Sequence, residues 1–257
     1  MPELPEVETV SRQLRGKICG HQILSAKIYD DKLAGIKNIR GRKIVSVERR
    51  GKTVCILLDD GNYLLIHLRM TGKLLWQDGM ERPKHSRMKI TFDNGHVFFV
   101  DTRRFGTVKV IGEVEDDSGR DIFKKFDLKD FIKKYGGRKT KVKSLIMDQR
   151  AISGIGNIYA CEILFRAGIN PERVANTLTE DDWKKIIRNA REILKRAIKK
   201  RGTSISDWRD LHGCKGENQF ELKVYGRERK KCCACESLIV RIKQGGRSTF
   251  YCPNCQK

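Results

Sequence analysis

Residues 1–10 read MPELPEVETV, and the rest of the chain is organised around this acidic, proline-spaced opening. Pro5 suits the first turn of a helix, and apolar residues recur on one face after it, so a helix is expected to begin here. A helix start does not account for Pro2. If Met1 is removed, Pro2 carries a free secondary amine, and an α-amino pKa of roughly 8 makes such a nitrogen nucleophilic near neutral pH.

The reaction open to this amine is attack on the aldehyde carbon of a sugar. A secondary amine gives an iminium that cannot lose a proton to become a neutral imine, so it stays a strong electron sink. Glu3 and Glu6 are close enough in sequence to donate or accept protons. Taken alone, a proline after the initiator methionine usually has no catalytic role, and the helix-start interpretation stays open.

The composition favours a polyanionic partner. The 257 residues include 54 Lys+Arg and 32 Asp+Glu, a net charge of +22 that is spread along the chain. Nucleic acid is the first candidate, although ribosomal proteins are as basic and need not be enzymes. The chain has no apolar stretch of membrane-spanning length, and its acidic start is unlike a signal peptide. A cytosolic protein with no membrane partner is therefore expected.

The hydrophobic pattern predicts β-structure followed by helices. Expected strands are 23–29, 43–47, 54–58, 63–68, 88–92, 97–100 and 106–111, with tight hairpins at Asp60-Gly61 and Asn94-Gly95. Such a series predicts a sandwich or flattened barrel. The polar segment 112–120 is the expected domain boundary. Expected helices are 128–135 with an Asp127 cap, 143–149, 158–167 ended by Gly168, and 180–200, followed by a long loop over 202–218.

The cysteines predict a metal site. Five of the nine lie within residues 232–257. Cys232-x2-Cys235 and Cys252-x2-Cys255 have the spacing of a four-thiolate zinc site on a hairpin, which leaves no open position for catalysis. So small an element needs the metal to fold. Cys233 is a fifth thiol that could compete with Cys232, but the two-residue gap favours Cys232.

Three further motifs allow a functional and a structural interpretation. Residues 154–157, GIGN, could bind phosphate through backbone N–H groups or simply connect two helices. Residues 67–72, HLRMTG, end a strand, where Met70 is more often a core residue than an inserting wedge. Residues 101–106, DTRRFG, suit an intercalating tip, but in isolation a solvated charge pair beside a core Phe105 is the favoured interpretation.

Two basic side chains have suggestive positions. Lys52 opens a strand, where most lysines only face solvent. Arg247 follows the Gly245-Gly246 turn of the cysteine hairpin, a good shape for reaching a phosphate or a groove.

Together and in this order, the motifs resemble the bacterial formamidopyrimidine-DNA glycosylases over essentially the whole chain. The resemblance rests on PELPEVET at 2–9, Lys52, HLRMTG at 67–72, RRFG at 103–106, DQ with GIGNIYA between 148 and 160, and the finger with GRSTFYC at 246–252. The sister endonuclease VIII family typically has glycine at the position of Leu4, so Leu4 favours the formamidopyrimidine branch.

The resemblance implies an α+β multidomain fold. A catalytic β-sandwich with a leading helix would span 1–112, a helix–two-turn–helix DNA-binding domain with a lesion-capping loop 121–221, and a zinc β-hairpin 222–257. The activity would be that of a bifunctional DNA glycosylase/AP lyase of base excision repair, which removes oxidised purines such as 8-oxoguanine and formamidopyrimidines and then cleaves the strand by β,δ-elimination. The expected setting is a monomer at the bacterial nucleoid in the cytoplasm. It would carry one structural Zn²⁺ and bind double-stranded DNA with oxidised bases or abasic sites in a cleft between domains.

The resemblance also implies catalytic roles. Pro2 would attack C1′ and form the Schiff base, and Glu3 would act as acid and base near the sugar ring oxygen and the departing base. Glu6 would hold the N-terminus in place. Lys52 would contact phosphate and assist proton transfer in β-elimination. Arg247 would hold a phosphate and serve the second elimination.

The implied DNA contacts lie in other motifs. Met70 would fill the gap left by the flipped nucleotide, while Arg103 and Phe105 would probe the opposite strand, Arg103 reading the orphaned base. Asn157 and neighbouring amides would hold a phosphate. Weaker candidates for phosphate contacts are His67, His85, Arg138 and Lys143.

The sequence departs from the family pattern at two places. Thr102 stands where proline is common, which could loosen that loop. In the loop over 202–220 the usual glycine-aromatic ending is not plain, which bears on lesion preference. The alternative function is a non-catalytic zinc-containing DNA-binding protein. A zinc-containing RNA-binding or ribosomal protein is a third possibility. The joint presence of Pro2, Glu3, Glu6 and Lys52 argues against the non-catalytic protein, and the long β-rich first half and the N-terminal motif argue against the RNA-binding or ribosomal protein.

Overall fold

The chain folds into two compact units. The structure is a computed structural model that describes residues 1–33, 36, 38–79, 81–113, 119–124 and 126–257. The first unit consists of Met1–Asp116 and Ala197–Gln219, and the second of Asp117–Arg196 and Phe220–Lys257. The boundary predicted over 112–120 has its middle, residues 114–118, outside the described part of the chain.

The first unit opens with a helix, as the first ten residues predict. This helix, α1, spans Leu4–Ile18. The strands that follow are β1 (Ile23–Ile28), β2 (Ile44–Arg50), β3 (Thr53–Leu58), β4 (Tyr63–His67), β5 (Lys73–Gln77), β6 (Ser86–Phe92), β7 (Gly95–Val100) and β8 (Thr107–Ile111). A 3-10 turn, Asp31–Leu33, lies between β1 and β2.

These strands form two four-stranded antiparallel sheets. Their orders are β1-β6-β7-β5 and β2-β3-β4-β8. Both hairpins predicted from Asp60-Gly61 and Asn94-Gly95 are present, joining β3 to β4 and β6 to β7. Buried residues of both sheets and of α1 share one apolar core. The predicted sandwich is confirmed, with α1 packed on β2 and β3.

The second unit contains the helices and the cysteine hairpin. Its helices are α2 (Leu128–Phe131), α3 (Val142–Met147), α4 (Asn157–Ala167) and α5 (Glu180–Lys199), of which α5 continues into the first unit at Ala197. Its strands are β9 (Arg120–Asp121), β10 (Ile152–Ser153), β11 (Val240–Gln244) and β12 (Arg247–Tyr251). Further single turns are a π-helical turn Ile132–Gly136 and the 3-10 turns Ala175–Thr177 and Asn218–Glu221.

Sequence signals account for most of these boundaries. The Asp127 side chain accepts the Asp130 N–H and caps α2, and Gly168 ends α4 in the left-handed conformation at φ 72°. The helix predicted over 128–135 is interrupted, because its second half widens into the π-helical turn. Within the described residues, the helices include none long and apolar enough to span a bilayer.

Two cores hold the second unit together. Trp183 of α5 is fully buried and meets the Phe131 ring edge-on, with centroids 5.3 Å apart. A smaller cluster joins Cys161 of α4 to Ile239 and Phe250 of the hairpin region. The second cluster is small, which agrees with a hairpin that depends on a metal.

Candidate active site and nucleic-acid interface

The Glu6 carboxylate ties the N-terminus to a distant loop. The Glu3 N–H donates to Glu6 Oε2 at 2.7 Å, and the Thr203 N–H donates to Glu6 Oε1 at 2.7 Å. Glu3 and Glu6 are each only 2% exposed, and Pro2 is buried, whereas Met1 is exposed. The first residues of α1 are therefore held in a defined position inside the protein.

The loop at this contact requires glycine. Gly202 has φ +79°, and a Cβ there would lie 2.6 Å from Glu6 Oε1. Any side chain would strain the backbone and push into the carboxylate. The backbone at Gly202 thus approaches Glu6 closely enough for the next N–H to reach it.

Lys52 lies in the turn between β2 and β3, which Arg49 links to α1. Arg49, at the end of β2, donates from Nε to Glu8 Oε2 at 2.9 Å and from Nη1 to the Gly51 carbonyl at 3.1 Å. One guanidinium therefore connects the helix to the Lys52 turn. Lys52 itself is only 9% exposed, so the solvent-facing alternative is wrong for this residue.

His67 ends β4 and is neutral at physiological pH. Burial, together with the positive charges of Arg69 and Lys52, lowers the pKa of His67 to about 4. Its Nδ1 accepts the Arg69 N–H at 3.0 Å, which leaves Nε2 as the protonated nitrogen. His67 can therefore meet a phosphate as a neutral N–H donor but not as a cation.

Met70, Arg103 and Phe105 form one exposed group, which we call the wedge cluster. Arg103 Nη1 lies 3.2 Å from Met70 Sδ, and its guanidinium stands 4.7 Å above the centre of the Phe105 ring. Met70 is 44% exposed and Phe105 50%. The core alternatives for both side chains are wrong, and two separate loops supply a single protruding surface of aromatic, thioether and cation.

His85 differs from these residues because its hydrogen bond is made by its main-chain carbonyl. It is an exposed residue at φ 63° before β6, and its carbonyl accepts the Asp101 N–H at 3.1 Å. Its main-chain role is therefore to support the start of the DTRRFG loop.

In the second unit, three predicted DNA-contacting residues lie close together. Lys143 is only 2% exposed, and its Nζ donates to Asn157 Oδ1 at 2.6 Å. Asn157 Nδ2 in turn donates to the Ser248 carbonyl at 2.9 Å, next to Arg247. Lys143 and Arg247 both line a polar depression of about 220 Å³. The depression offers two cations that suit a phosphate, together with the carboxylate of Asp148, which opposes an anion.

Arg138 is placed at the surface of the same unit. Its guanidinium stacks 4.6 Å above the Tyr135 ring and pairs with Asp148 at 3.4 Å. Such an exposed pair contributes at most about 1 kcal/mol, so a phosphate could replace Asp148 as its partner.

The four predicted cysteine ligands converge. The Sγ atoms of Cys232, Cys235, Cys252 and Cys255 all lie within 4.8 Å of one another. Zinc–sulfur bonds of about 2.3 Å in a tetrahedron place the sulfurs about 3.8 Å apart, so the donor set fits one structural zinc. Hydrogen bonds from Asn254 and Ser237 lower the pKa of the Cys235 thiol, whereas the hydrogen bond to Cys235 raises the pKa of the Cys255 thiol. Cys233 is exposed and outside the cluster.

Sequence patterns did not single out several residues that the structure places behind these groups. The hydrogen bond to Glu6 shows that Thr203 supports the N-terminus. The 1% exposure of Asp101 shows that this carboxylate lies in the interior. A usable signal existed for Asp101, because it opens the DTRRFG motif. For Thr203 the partner is almost two hundred residues away, and no local pattern indicates it.

Comparison with known proteins covers the whole chain. Three family models match: the formamidopyrimidine-DNA glycosylase N-terminal domain over residues 1–108, the H2TH domain of the same enzymes over 119–208, and the zinc finger found in FPG and IleRS over 229–257. The formamidopyrimidine-DNA glycosylases of Desulfitobacterium hafniense and Carboxydothermus hydrogenoformans are 37% and 40% identical to it, over the full length of both chains.

Solved structures give the same result. A Lactococcus lactis FPG mutant in complex with a Fapy-dG containing DNA has a TM-score of 0.92 at 35% identity and covers 100% of both chains. The complex between Lactococcus lactis Fpg and an abasic site containing DNA has a TM-score of 0.92 at 34% identity and covers 99% of each chain. The chain therefore belongs to the formamidopyrimidine-DNA glycosylase family.

Proposed function

We propose that this protein is a bifunctional DNA glycosylase and AP lyase of base excision repair. Its substrate is double-stranded DNA that contains oxidised purines, such as 8-oxoguanine and formamidopyrimidines, or abasic sites. Family membership supports the reaction class. The joint presence of Pro2, Glu3, Glu6 and Lys52, all four buried, argues against the non-catalytic alternative.

One observation carries the proposal. The start of the chain is clamped by the Glu6 carboxylate, which accepts N–H groups from Glu3 and Thr203 at 2.7 Å each. The Glu3 half of this clamp is the capping box of α1, which many helix starts share. The bond from the Thr203 N–H, 197 positions away, is not part of a helix cap. A nucleophile benefits from this second anchor, because attack demands a fixed approach to the reacting carbon.

The chemistry follows from these groups. After loss of Met1, the Pro2 nitrogen attacks C1′ with its lone pair, the bond from C1′ to the base breaks, and the base leaves with a proton. Glu3 is the acid and base beside this centre. The C1′–O4′ bond then breaks as O4′ takes up a proton from Glu3, which opens the sugar ring and gives the iminium at C1′. The iminium draws electrons from C2′, a proton leaves that carbon, and the 3′ phosphate departs. A second elimination expels the 5′ phosphate, and water releases Pro2.

Lys52 supports the eliminations in this scheme. It is buried in the turn that Arg49 joins to α1, and it lowers the pKa of neighbouring His67 by its positive charge. A buried ammonium beside a phosphate stabilises negative charge as the phosphate leaves. Arg247, on the zinc hairpin, holds a second phosphate and assists the later elimination.

To reach the damaged base, the protein must flip that nucleotide out of the duplex and fill the gap left in the stack. A base within the stack is out of reach, and extruding it costs roughly a few kcal/mol. The wedge cluster fills the gap: Met70 takes the place of the flipped nucleotide, and Arg103 and Phe105 probe the opposite strand. Phosphate contacts from Asn157, Lys143 and Arg247 offset the cost, helped by the net charge of +22. His67, His85 and Arg138 are secondary contacts.

The proposal extends to organisation and location. Three domains over 1–112, 121–221 and 222–257 are supported by the three matched family segments. The enzyme acts as a monomer on nucleoid DNA in the bacterial cytoplasm. The structural zinc shapes the hairpin and takes no part in the chemistry.

Borohydride trapping tests the proposal. Reduction of a mixture with duplex DNA carrying 8-oxoguanine or an abasic site is expected to give a covalent protein–DNA adduct, because the iminium is reducible. Pro2→Gly and protein that retains Met1 are expected to give little or none. Absence of an adduct from the processed wild-type protein with both substrates would refute the enzyme function.

A further inference from the structure

A buried chain of charged groups lies behind the wedge cluster. Asp101, Arg87 and Asp30 are 1%, 3% and 5% exposed. Arg87 donates from Nη1 to Asp101 Oδ2 at 3.4 Å and from Nε to Asp30 Oδ2 at 2.5 Å. Asp30 also accepts both arms of the Arg104 guanidinium, one of them at 3.1 Å. The chain runs from the core to the loop that carries Arg103 and Phe105.

Asp101 joins the two loops that supply the wedge cluster. Its Oδ1 accepts the Thr71 hydroxyl at 2.5 Å and the Arg103 N–H at 3.2 Å. Its Oδ2 accepts the Gly106 N–H at 2.7 Å. Thr71 directly follows Met70, and Arg103 and Gly106 bracket Phe105. One carboxylate thus fixes the backbone on both sides of the cluster.

The backbone beside the cluster is strained. Arg69 has φ 54° and Arg104 has φ 55°, in a region that costs a residue with a side chain on the order of 1 kcal/mol. Each stands next to a wedge residue, and Arg104 separates Arg103 from Phe105. Strained non-glycine residues persist where surrounding contacts over-determine them. The paired contact of Arg104 with Asp30 is such a contact.

The contribution to folding stability does not by itself explain why Asp101, Arg87 and Asp30 are buried together. A buried ion-pair network adds little net stability, because desolvation offsets the attraction between charges. The network here ends on the two loops of the wedge cluster, through backbone N–H groups and one hydroxyl. Its geometry matches a device that keeps a tip rigid.

We propose that Asp101 is a positioning residue for base extrusion: together with Arg87 and Asp30 it locks Met70, Arg103 and Phe105 into one piece that enters the DNA stack as a unit. Thr71 is the link that couples the Met70 loop to it. The inference rests on the proposed function, since it assigns these residues to the flipping step of that reaction.

Thr71 provides a matched test. Thr71→Val removes the hydroxyl at nearly constant shape, and Thr71→Ser keeps it. Stopped-flow fluorescence with 2-aminopurine beside an 8-oxoguanine in a duplex reports invasion of the stack. Thr71→Val removes the hydrogen bond to the Asp101 carboxylate and the hydroxyl oxygen that accepts the Arg103 N–H at 3.3 Å. We therefore expect at least about tenfold slower invasion and excision for Thr71→Val, and near wild-type rates for Thr71→Ser. Asp101→Asn is expected to exceed the Thr71→Val effect.

A second substrate separates this inference from the proposed function. On a single-stranded abasic oligonucleotide no stack needs to be opened, so borohydride trapping by Thr71→Val should equal that by wild-type protein. Equal invasion rates for the valine and serine variants would overturn the inference, as would an equal loss on the single strand. Failure of the wild-type protein to trap either DNA would instead refute the proposed function. Thermal unfolding of each variant identifies effects that come only from lost stability.

Discussion

The wedge cluster and the zinc hairpin both present an arginine at a tip, but they hold it by different means. Arg103 stands in a loop fixed by a buried carboxylate network and strained backbone. Arg247 follows a Gly245-Gly246 turn, in which both glycines have positive φ, on a hairpin with four thiolates behind it. The loop that carries Arg103 is anchored on the large apolar core of the first unit, whereas the hairpin that carries Arg247 has only a small apolar cluster.

This difference follows from size. The first unit has a sandwich core against which buried charges can be fixed, so hydrogen bonds are sufficient to rigidify a loop. The hairpin region has only a small apolar cluster, and a metal replaces the missing core. The proposed DNA contacts place the same requirement on both arginines: the cation must already be in place when DNA arrives, so that little entropy is lost on binding.

Removal of zinc is the change with the largest expected effect. Cys252→Ala should lose the metal, unfold the hairpin and weaken binding to lesion DNA at least about 100-fold, since structural zinc supplies on the order of 10 kcal/mol of folding free energy in such elements. Zinc content and DNA binding are the measurements. Cys233→Ser is the matched control, because Cys233 is exposed and outside the cluster, and it should keep both.

Replacement of the two arginines sharpens the comparison. Arg247→Ala should weaken binding to all duplexes alike and reduce the slope of log K against log salt by about 0.9, as expected for one lost phosphate contact. Arg103→Ala should leave the slope unchanged and lower discrimination between opposite bases by about tenfold, since base contacts specify sequence. Equal salt slopes for the two variants would contradict the assignment.

Acidification should lower the free energy of unfolding by a smaller amount, through the titration of His67 at the end of β4. The pKa of His67 is lowered from 6.5 to about 4 in the folded state, so the unfolded chain binds the extra proton first. The contribution is fully present above pH 6.5 and is lost as pH falls toward 4, by at most about 3 kcal/mol. His67→Gln should flatten this part of the stability–pH curve in denaturant titrations. An unchanged curve would show that His67 is not the titrating group.

Local features were well predicted from the sequence. The cysteine spacing identifies the metal ligands, because two Cys-x2-Cys pairs leave few geometric alternatives. The hairpins predicted at Asp60-Gly61 and Asn94-Gly95 are confirmed, because both dipeptides favour the positive φ that a tight hairpin turn requires. By contrast, β5 (Lys73–Gln77) was not predicted, since it is a short edge strand that depends on pairing with β7.

Non-local features were the ones that sequence could not predict. The contact between Arg103 and Met70 spans thirty-three positions, and no periodicity reports it. The burial of Lys143 at 2% exposure contradicts the ordinary behaviour of lysine and depends on Asn157 as a partner. The positive φ of Arg69 and Arg104 is unexpected for arginine and is imposed by the surrounding contacts.

The contact between Glu6 and Thr203 also dictates an order of events during synthesis. The two residues are 197 positions apart, so the N-terminus of the chain leaves the ribosome long before Thr203 is available to contact it. Closing so large a loop is slow compared with forming local hairpins. A nascent or truncated chain that stops before residue 203 lacks the Thr203 half of the clamp. The long-range half of this contact is thus completed only when nearly the whole protein has been made.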